Sequence, residues 1–271
     1  MKNISFALLI ALSLLSLTSC EEVIDIPLDS TDPTLVIEAS LKEGTQPFNV
    51  FISYSSDYYN PELPTPVVDA EVILTDGEGQ EFTVPHVNSG VYSLPFTAVA
   101  GDMYQLTVRT GGEEYQATSF LPESIEIMEL IPEYQEVNPV GDPGYQVSVR
   151  FQDPGGMANF YRLRHSINGE LQNGGEDMQV VNDNIFEGGE AQLPLFQQTF
   201  DSGDLVSIEL IHFDEASYDY FNSLADISGG GGSGPGGATA APGNPLSNWS
   251  GGCLGYFSAS SSDTLSIRIP Q

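Results

Sequence analysis

Hydrophobic and polar positions alternate with a period of two along most of this chain, in short runs punctuated by Gly, Pro, Asn and Asp. Such alternation puts one side of a strand against a core and the other toward water. In the first half the pattern predicts strands at 34–41, 48–54, 67–74, 80–84, 91–94, 104–109 and 115–121, and Pro122 closes the series. Thr75-Asp-Gly-Glu-Gly79 reads as a hairpin turn, because an Asp-Gly pair tolerates positive φ. Gly101-Asp102 is a second turn, beyond which Tyr104, Leu106 and Val108 alternate toward one face, a packing face before a ligand platform. Short strands at this spacing are the signature of an antiparallel sandwich.

A second unit begins after Glu123. Runs at 125–131, 145–151, 159–167, 179–186, 204–213 and 264–269 read as further strands. Ahead of the last of them, Asp214 is placed to cap a helix over 215–227, whose apolar stripe of Tyr218, Phe221, Leu224 and Ala225 is expected to pack on a sheet. Residues 229–238 are a loop by composition; no Gly-Lys-Ser/Thr follows them, so they are no phosphate cradle. The fold class is all-β: a sandwich over 34–122, then a second β-rich domain over 123–271 with one short helix.

The first residues change the picture from fold to place. Lys2, an apolar run from Phe6 to Leu17, then Thr18 and Ser19 read as a secretory signal over 1–19, and the run is too short to span a bilayer comfortably. Leu17, Ser19 and Cys20 resemble a bacterial lipobox, which implies cleavage before Cys20 and acylation of that cysteine. The rival is an ordinary cleaved signal with a chance cysteine. Residues 20–33 are then an acidic tether. Its opening pair, Glu21 and Glu22, resembles the address that sends Bacteroidota lipoproteins to the outer face of the outer membrane.

Charge and cysteine count exclude some classes. The net charge is −31, with seven cations: Lys2, Lys42, Arg109, Arg150, Arg162, Arg164 and Arg268. That balance argues against nucleic acid as a partner, since binding it needs a basic footprint. With Cys20 lipidated, Cys253 stands alone, so no intramolecular disulfide forms; its setting between glycines and an aromatic pair reads as a buried structural thiol.

Candidate chemistry is sparse. His86, His165 and His212 have no zinc-binding spacing. His212 and Asp214 offer a nitrogen and a carboxylate, but a strand end meeting a helix cap is the simpler reading. Asp25, Asp29 and Asp32 lack an EF-hand pattern, and no Gly-x-Ser-x-Gly elbow or singled-out carboxylate pair exists. Trp249 reads as a loop anchor, with stacking on a sugar or peptide as the alternative. Asp29-Ser-Thr31 and Asp263-Thr-Leu265 resemble a short O-glycosylation motif. No catalytic residue, metal or cofactor is nominated, and a non-enzyme is expected.

The ordered motifs carry a likeness. They run Cys20-Glu-Glu-Val-Ile-Asp-Ile, Leu35-Val-Ile-Glu-Ala39, Pro66-Val-Val-Asp-Ala-Glu-Val-Ile-Leu-Thr-Asp76, Gly90-Val-Tyr92 and Ala100-Gly-Asp-Met-Tyr-Gln-Leu-Thr-Val108. Tyr115-Gln-Ala-Thr-Ser-Phe-Leu-Pro122 and Asn248-Trp-Ser-Gly-Gly-Cys-Leu-Gly-Tyr-Phe257 complete the order. Together they resemble the Bacteroidota outer-membrane lipoprotein family catalogued as domain of unknown function 4249. The resemblance implies an immunoglobulin-like front domain joined to a second β-rich domain. It also implies an accessory or ligand-capture role beside a TonB-dependent outer-membrane receptor, with the lipid bilayer held through acylated Cys20. A structural or adhesive surface protein and an envelope hydrolase are the rival readings, and no residue cluster argues for the hydrolase.

Overall fold

A computed structural model describes residues 33–56, 63–136, 143–195, 198–228 and 243–271. Cys20, Glu21, Glu22, the acids Asp25, Asp29 and Asp32, and the loop 229–238 lie outside the described residues. The first half folds into β1 (Leu35–Lys42), β2 (Gly44–Tyr54), β3 (Thr65–Pro66), β4 (Glu71–Thr75), β5 (Glu81–Thr83), β6 (His86–Asn88), β7 (Val91–Ala98), β8 (Met103–Thr110) and β9 (Glu113–Phe120). Strands β1, β2 and β7 are neighbours in one sheet, and β5-β4-β8-β9 form the other. This distribution of consecutive strands between two antiparallel sheets is immunoglobulin-like. Ile37, Val50, Tyr104, Leu106 and Val108 are buried between the sheets, as the alternation requires.

Two of the differences from the expectation have a local cause. The run expected at 67–74 enters its strand only at Glu71, because the Tyr92 hydroxyl takes up the backbone just before it. That hydroxyl donates to the Val67 carbonyl (3.2 Å) and accepts from the Ala70 N–H (2.9 Å). In the 75–79 turn the positive φ falls on Gly79 and not on Gly77, whose N–H bonds to Asp102 (3.2 Å).

The second half repeats the plan. Its elements are β10 (Ile127–Gln135), β11 (Gly144–Gln152), β12 (Phe160–Ile167), β13 (Glu170–Gln172), β14 (Gln179–Asn182), β15 (Glu190–Pro194), β16 (Leu205–Phe213), helix α1 (Glu215–Ser228) and β17 (Leu254–Arg268). One sheet is β10-β11-β15; the other carries β12, β16 and β17, with β13 and β14 both paired to β12. Val147, Phe151, Leu163 and Ile208 lie in the core between them. The helix and the segment 229–253 are inserted between the last two strands of this second immunoglobulin-like sandwich.

Strand β17 was expected only over 264–269, and it is far longer. Its first part pairs in parallel with β1, Val36 opposite Leu254 through Lys42 opposite Ser260, and its second part pairs antiparallel with β16. Both sandwiches therefore share a 10-stranded sheet. Phe257 and Ala259 point into the first core, joined there by Trp249 and Cys253, whereas Ile267 packs against the second. Gly255 makes the close approach possible: at φ +94° an added Cβ would lie 2.1 Å from the Ile37 carbonyl oxygen.

Asp214 locks the junction. One carboxylate oxygen caps the helix by accepting from the Ser217 N–H (2.9 Å). The other accepts from the Ser119 hydroxyl (2.7 Å) and the Phe120 N–H (2.9 Å) of β9, while Ser119 Oγ accepts from the Ala259 N–H of β17 (2.8 Å). Replacing Asp214 by Ala removes the cap and strands these donors, for a loss of about 3 kcal/mol of unfolding free energy. Urea denaturation of the mature protein measures it, with Asp214→Asn expected to lose less because the cap survives.

A cationic cavity as the candidate functional site

Residues 162 and 164 point to the same side of β12, away from the core, as residues two apart on a strand must. In register with them on β16 are Ile211 and Glu209, and across β17 and β1 the same outer face brings in Tyr256, Ser258, Ser260, Ser40 and Lys42. Helix α1 covers part of this face. Phe221 stacks on Phe213 (centroids 5.8 Å apart) and Tyr220 on Tyr256 (4.5 Å). The stripe on the helix therefore includes Tyr220, which the 3.6-residue reading left out, and it packs on a sheet as expected. The segment from Leu171 to Met178 forms the opposite wall. Between them lies a cavity of about 360 Å³, within the range of small-molecule sites, and Ser40 and Leu171 at its edge are exposed.

Three cations of an acidic protein meet here: Lys42, Arg162 and Arg164. Glu209 answers two of them. It accepts from Arg164 (3.2 Å) and lies 3.8 Å from the Lys42 ammonium, and Ser262 donates to it as well (3.0 Å). Arg162 makes no salt bridge and no hydrogen bond among the described residues, and the Glu209 charge reaches it only through space; its Nε is buried, and its guanidinium carbon stands 4.5 Å from the Phe221 ring centre. Burial lowers its pKa from the ordinary arginine value and the neighbouring Arg164 charge adds to that, with Tyr256, Glu209 and Tyr220 opposing it in part. Asp177, the acid among the lining residues, is committed elsewhere, accepting from the Gly174 N–H (2.7 Å) and the Gln198 amide (2.8 Å). The arrangement offers donors to an anion and carries no histidine or cysteine.

The residues singled out from the sequence lie elsewhere and do not converge. His212 is buried, stacks on Tyr161 (5.1 Å) and meets the Glu123 carbonyl through Nδ1 (2.9 Å), so it belongs to the strand end beside the cap. His165 faces the second core, 4.0 Å from Asp177, and His86 is exposed beside Tyr92. Trp249 is a loop anchor: it is buried, and its indole N–H donates to the Ile37 carbonyl (3.1 Å), which takes its ring out of reach of a sugar. Cys253 is buried too, its thiol pushed up to about 11 by desolvation, as suits a structural residue. Asp263 accepts from the Ile127 N–H (2.8 Å), and Thr264 is an exposed residue of β17. A separate hollow of about 590 Å³ beside Phe82 and Phe96 is bordered by Asp76, which accepts from the Glu78 and Gln80 N–H groups, and Asp102, which accepts from the Met103 N–H and, across to the other turn, from the Gly77 N–H.

Lys42, Arg162 and Arg164 were not nominated from the sequence. The signal was present in Arg162-Leu-Arg164, two like charges on one strand face in a chain with seven cations and 38 acids.

Fold and cavity define a tandem immunoglobulin-like β-protein with a cationic pocket on its shared sheet. The chain belongs to the family described as "Domain of unknown function (DUF4249)", whose model matches residues 21–266. Among solved structures it is similar to a two-domain fibronectin type-III segment of chicken tenascin, at 12% identity over 67% of this chain and 91% of that one, TM-score 0.22. It is also similar to the chicken interferon gamma receptor alpha chain, at 10% identity over 88% and 98%, TM-score 0.25. A DUF4785 family protein from Legionella pneumophila matches at 15% identity over 66% and 52%, TM-score 0.24. Likenesses this distant carry no functional weight, and the fold assignment rests on the strand order above. No curated protein matches the sequence.

The buried histidines set a pH dependence. Burial lowers the pKa of both His165 and His212, with Asp177 and the Glu123 carbonyl opposing it only in part. Unfolded histidine titrates near pH 6.5, so below that the unfolded chain binds more protons than the folded one. Stability is complete above about pH 6.5 and falls as the pH drops toward the folded values, by at most about 1.4 kcal/mol per pH unit for each histidine. Urea midpoints compared at neutral and mildly acidic pH are expected to converge in His165→Leu relative to wild type.

Proposed function

We propose that this protein is a non-enzymatic lipoprotein of the outer membrane, held by acylated Cys20 and facing the cell exterior, which captures a ligand for a TonB-dependent receptor. The observation that carries the reading is the lipobox-like order of Leu17, Ser19 and Cys20, followed at once by Glu21 and Glu22. Two acyl chains or more make a durable anchor where one is marginal. Several features support capture without covalent chemistry. The cavity sits on a rigid sheet shared by two sandwiches, and its lining offers hydroxyls, amides and cations. Cys253 and the buried histidines are not among its lining residues. Among the described residues no helix is long and apolar enough to cross a membrane, so the lipid is the attachment this reading relies on.

A second reading, a structural or adhesive spacer, draws on the tandem sandwiches welded by β17. The two separate in one experiment. Purification of the native protein from solubilised outer membranes is expected to bring a β-barrel receptor with it, and Cys20→Ser is expected to release the protein to the soluble fraction and lose that receptor. Repeated recovery without a barrel, alongside a gene deletion that impairs attachment and spares nutrient uptake, favours the spacer. Protease applied to intact cells is expected to remove the globular part; full protection contradicts exterior display.

A further inference from the structure

Acids outnumber cations 38 to seven in this chain, so a cation left without a carboxylate is not explained by scarcity. Among the described residues, Lys42, Arg109, Arg150 and Arg164 each face a glutamate, and Arg268 donates to the Gly203 carbonyl. Arg162 has neither, although its Nε is buried. Taking a charge out of water costs several kcal/mol unless it is paired. The contact with Phe221 returns about 1–2 kcal/mol at best. The fold thus carries a half-buried guanidinium without a salt bridge, its central carbon 4.5 Å from the Phe221 ring centre. Arg164 and Lys42 line the same cavity, and Glu209 neutralises one charge between them.

We infer that the cavity around Arg162 binds a small organic oxyanion, a carboxylate or a phosphate ester, with the Arg162 guanidinium as its principal contact. A guanidinium presents paired N–H donors in a plane that matches either group. Lys42 and Arg164 supply further positive charge, and Ser258 and Ser260 supply hydroxyls along the floor. The body of the ligand has room to extend: a second hollow of about 230 Å³ shares Ser40, Lys42 and Tyr256 with the first and continues over β1 to Asn49 and Phe51. The protein's overall negative charge does not forbid this. At physiological ionic strength charges farther than about 8 Å are largely screened, so the local charges decide: Lys42, Arg162 and Arg164 against Glu209 and Asp177, with Glu38 in the adjoining hollow. The inference rests on the capture reading for its biological purpose, and on the cavity alone for its chemistry.

Calorimetric titration of the full-length mature protein in detergent tests it, using inorganic phosphate, glucose 6-phosphate and glucuronate, with glucose as the uncharged control. At least one oxyanion is expected to bind one-to-one while glucose gives no signal, and the phosphate and glucuronate arms tell the two anion classes apart. Arg162→Gln is expected to weaken binding at least about 30-fold, and Arg162→Lys less, because charge survives while the fork is lost. Lys42→Gln, at a half-exposed position that tolerates change, is expected to weaken binding about fivefold. Arg162→Met is expected to raise the melting temperature of the ligand-free protein, since it removes a half-buried charge that has no salt bridge. Absence of binding by all three oxyanions up to about 10 mM, equal binding of glucose, or unchanged affinity in Arg162→Gln overturns the site. A lower melting temperature in Arg162→Met also overturns it, because the arginine would then be structural. Anion binding without receptor co-purification keeps this site and removes the transporter reading; the converse result does the opposite.

Discussion

The parallel pairing of β1 with the first part of β17 is the contact on which the rest of the molecule depends. Two immunoglobulin-like sandwiches in sequence would ordinarily meet through a modest, mobile interface. Here a single strand passes from the inner face of one to the inner face of the other, so backbone hydrogen bonds continue across the junction. The residues that permit it are small or local. Gly255 lets the chain come close to Ile37, Trp249 caps the Ile37 carbonyl, and Asn248 brackets Phe257 with bonds to both its N–H and its carbonyl. Asp214 then ties helix, β9 and, through Ser119, β17 together.

This continuity also creates the cavity. Its floor draws on β12, β16, β17 and β1, and so on both sandwiches. Flexible domains could not hold Lys42 and Arg164 on the two oxygens of Glu209, because each carboxylate oxygen serves a cation from a different sandwich. Aromatic packing under helix α1 closes the remaining side, with Phe221 touching Phe213, Tyr256 and the Arg162 guanidinium. Preorganised donors on a rigid sheet are the economical way to hold a small ligand, since little is lost to ordering on binding.

What could be read from the sequence follows from where each interaction is encoded. Tyr104, Leu106 and Val108 were legible as core because period-two alternation is local, and Asp214 as a cap because capping acts within one helical turn. The early part of β17 was not legible. Its Ser-Ala-Ser-Ser-Ser-Asp stretch resembles a loop, and only pairing with β1, more than two hundred residues earlier, and then with β16 makes it a strand. Strands β3, β6, β13 and β15 were missed for a related reason, since β3, β6 and β13 are short pieces defined by one neighbour and β15 depends on β11. Trp249 had no readable destination either, because its acceptor is the Ile37 carbonyl. The cationic cavity joins Lys42 to Arg162 and Ser258, a proximity made by topology alone.

Because β17 completes the far end of the chain and also flanks β1 near its beginning, the usual order of events in a two-domain protein does not apply. Domains that fold during synthesis close in turn from the amino terminus. The front half of this protein lacks its neighbour at β1, and its Trp249 and Phe257 plug, until the final residues emerge. The first core is therefore completed by residues that follow most of the second sandwich in the sequence.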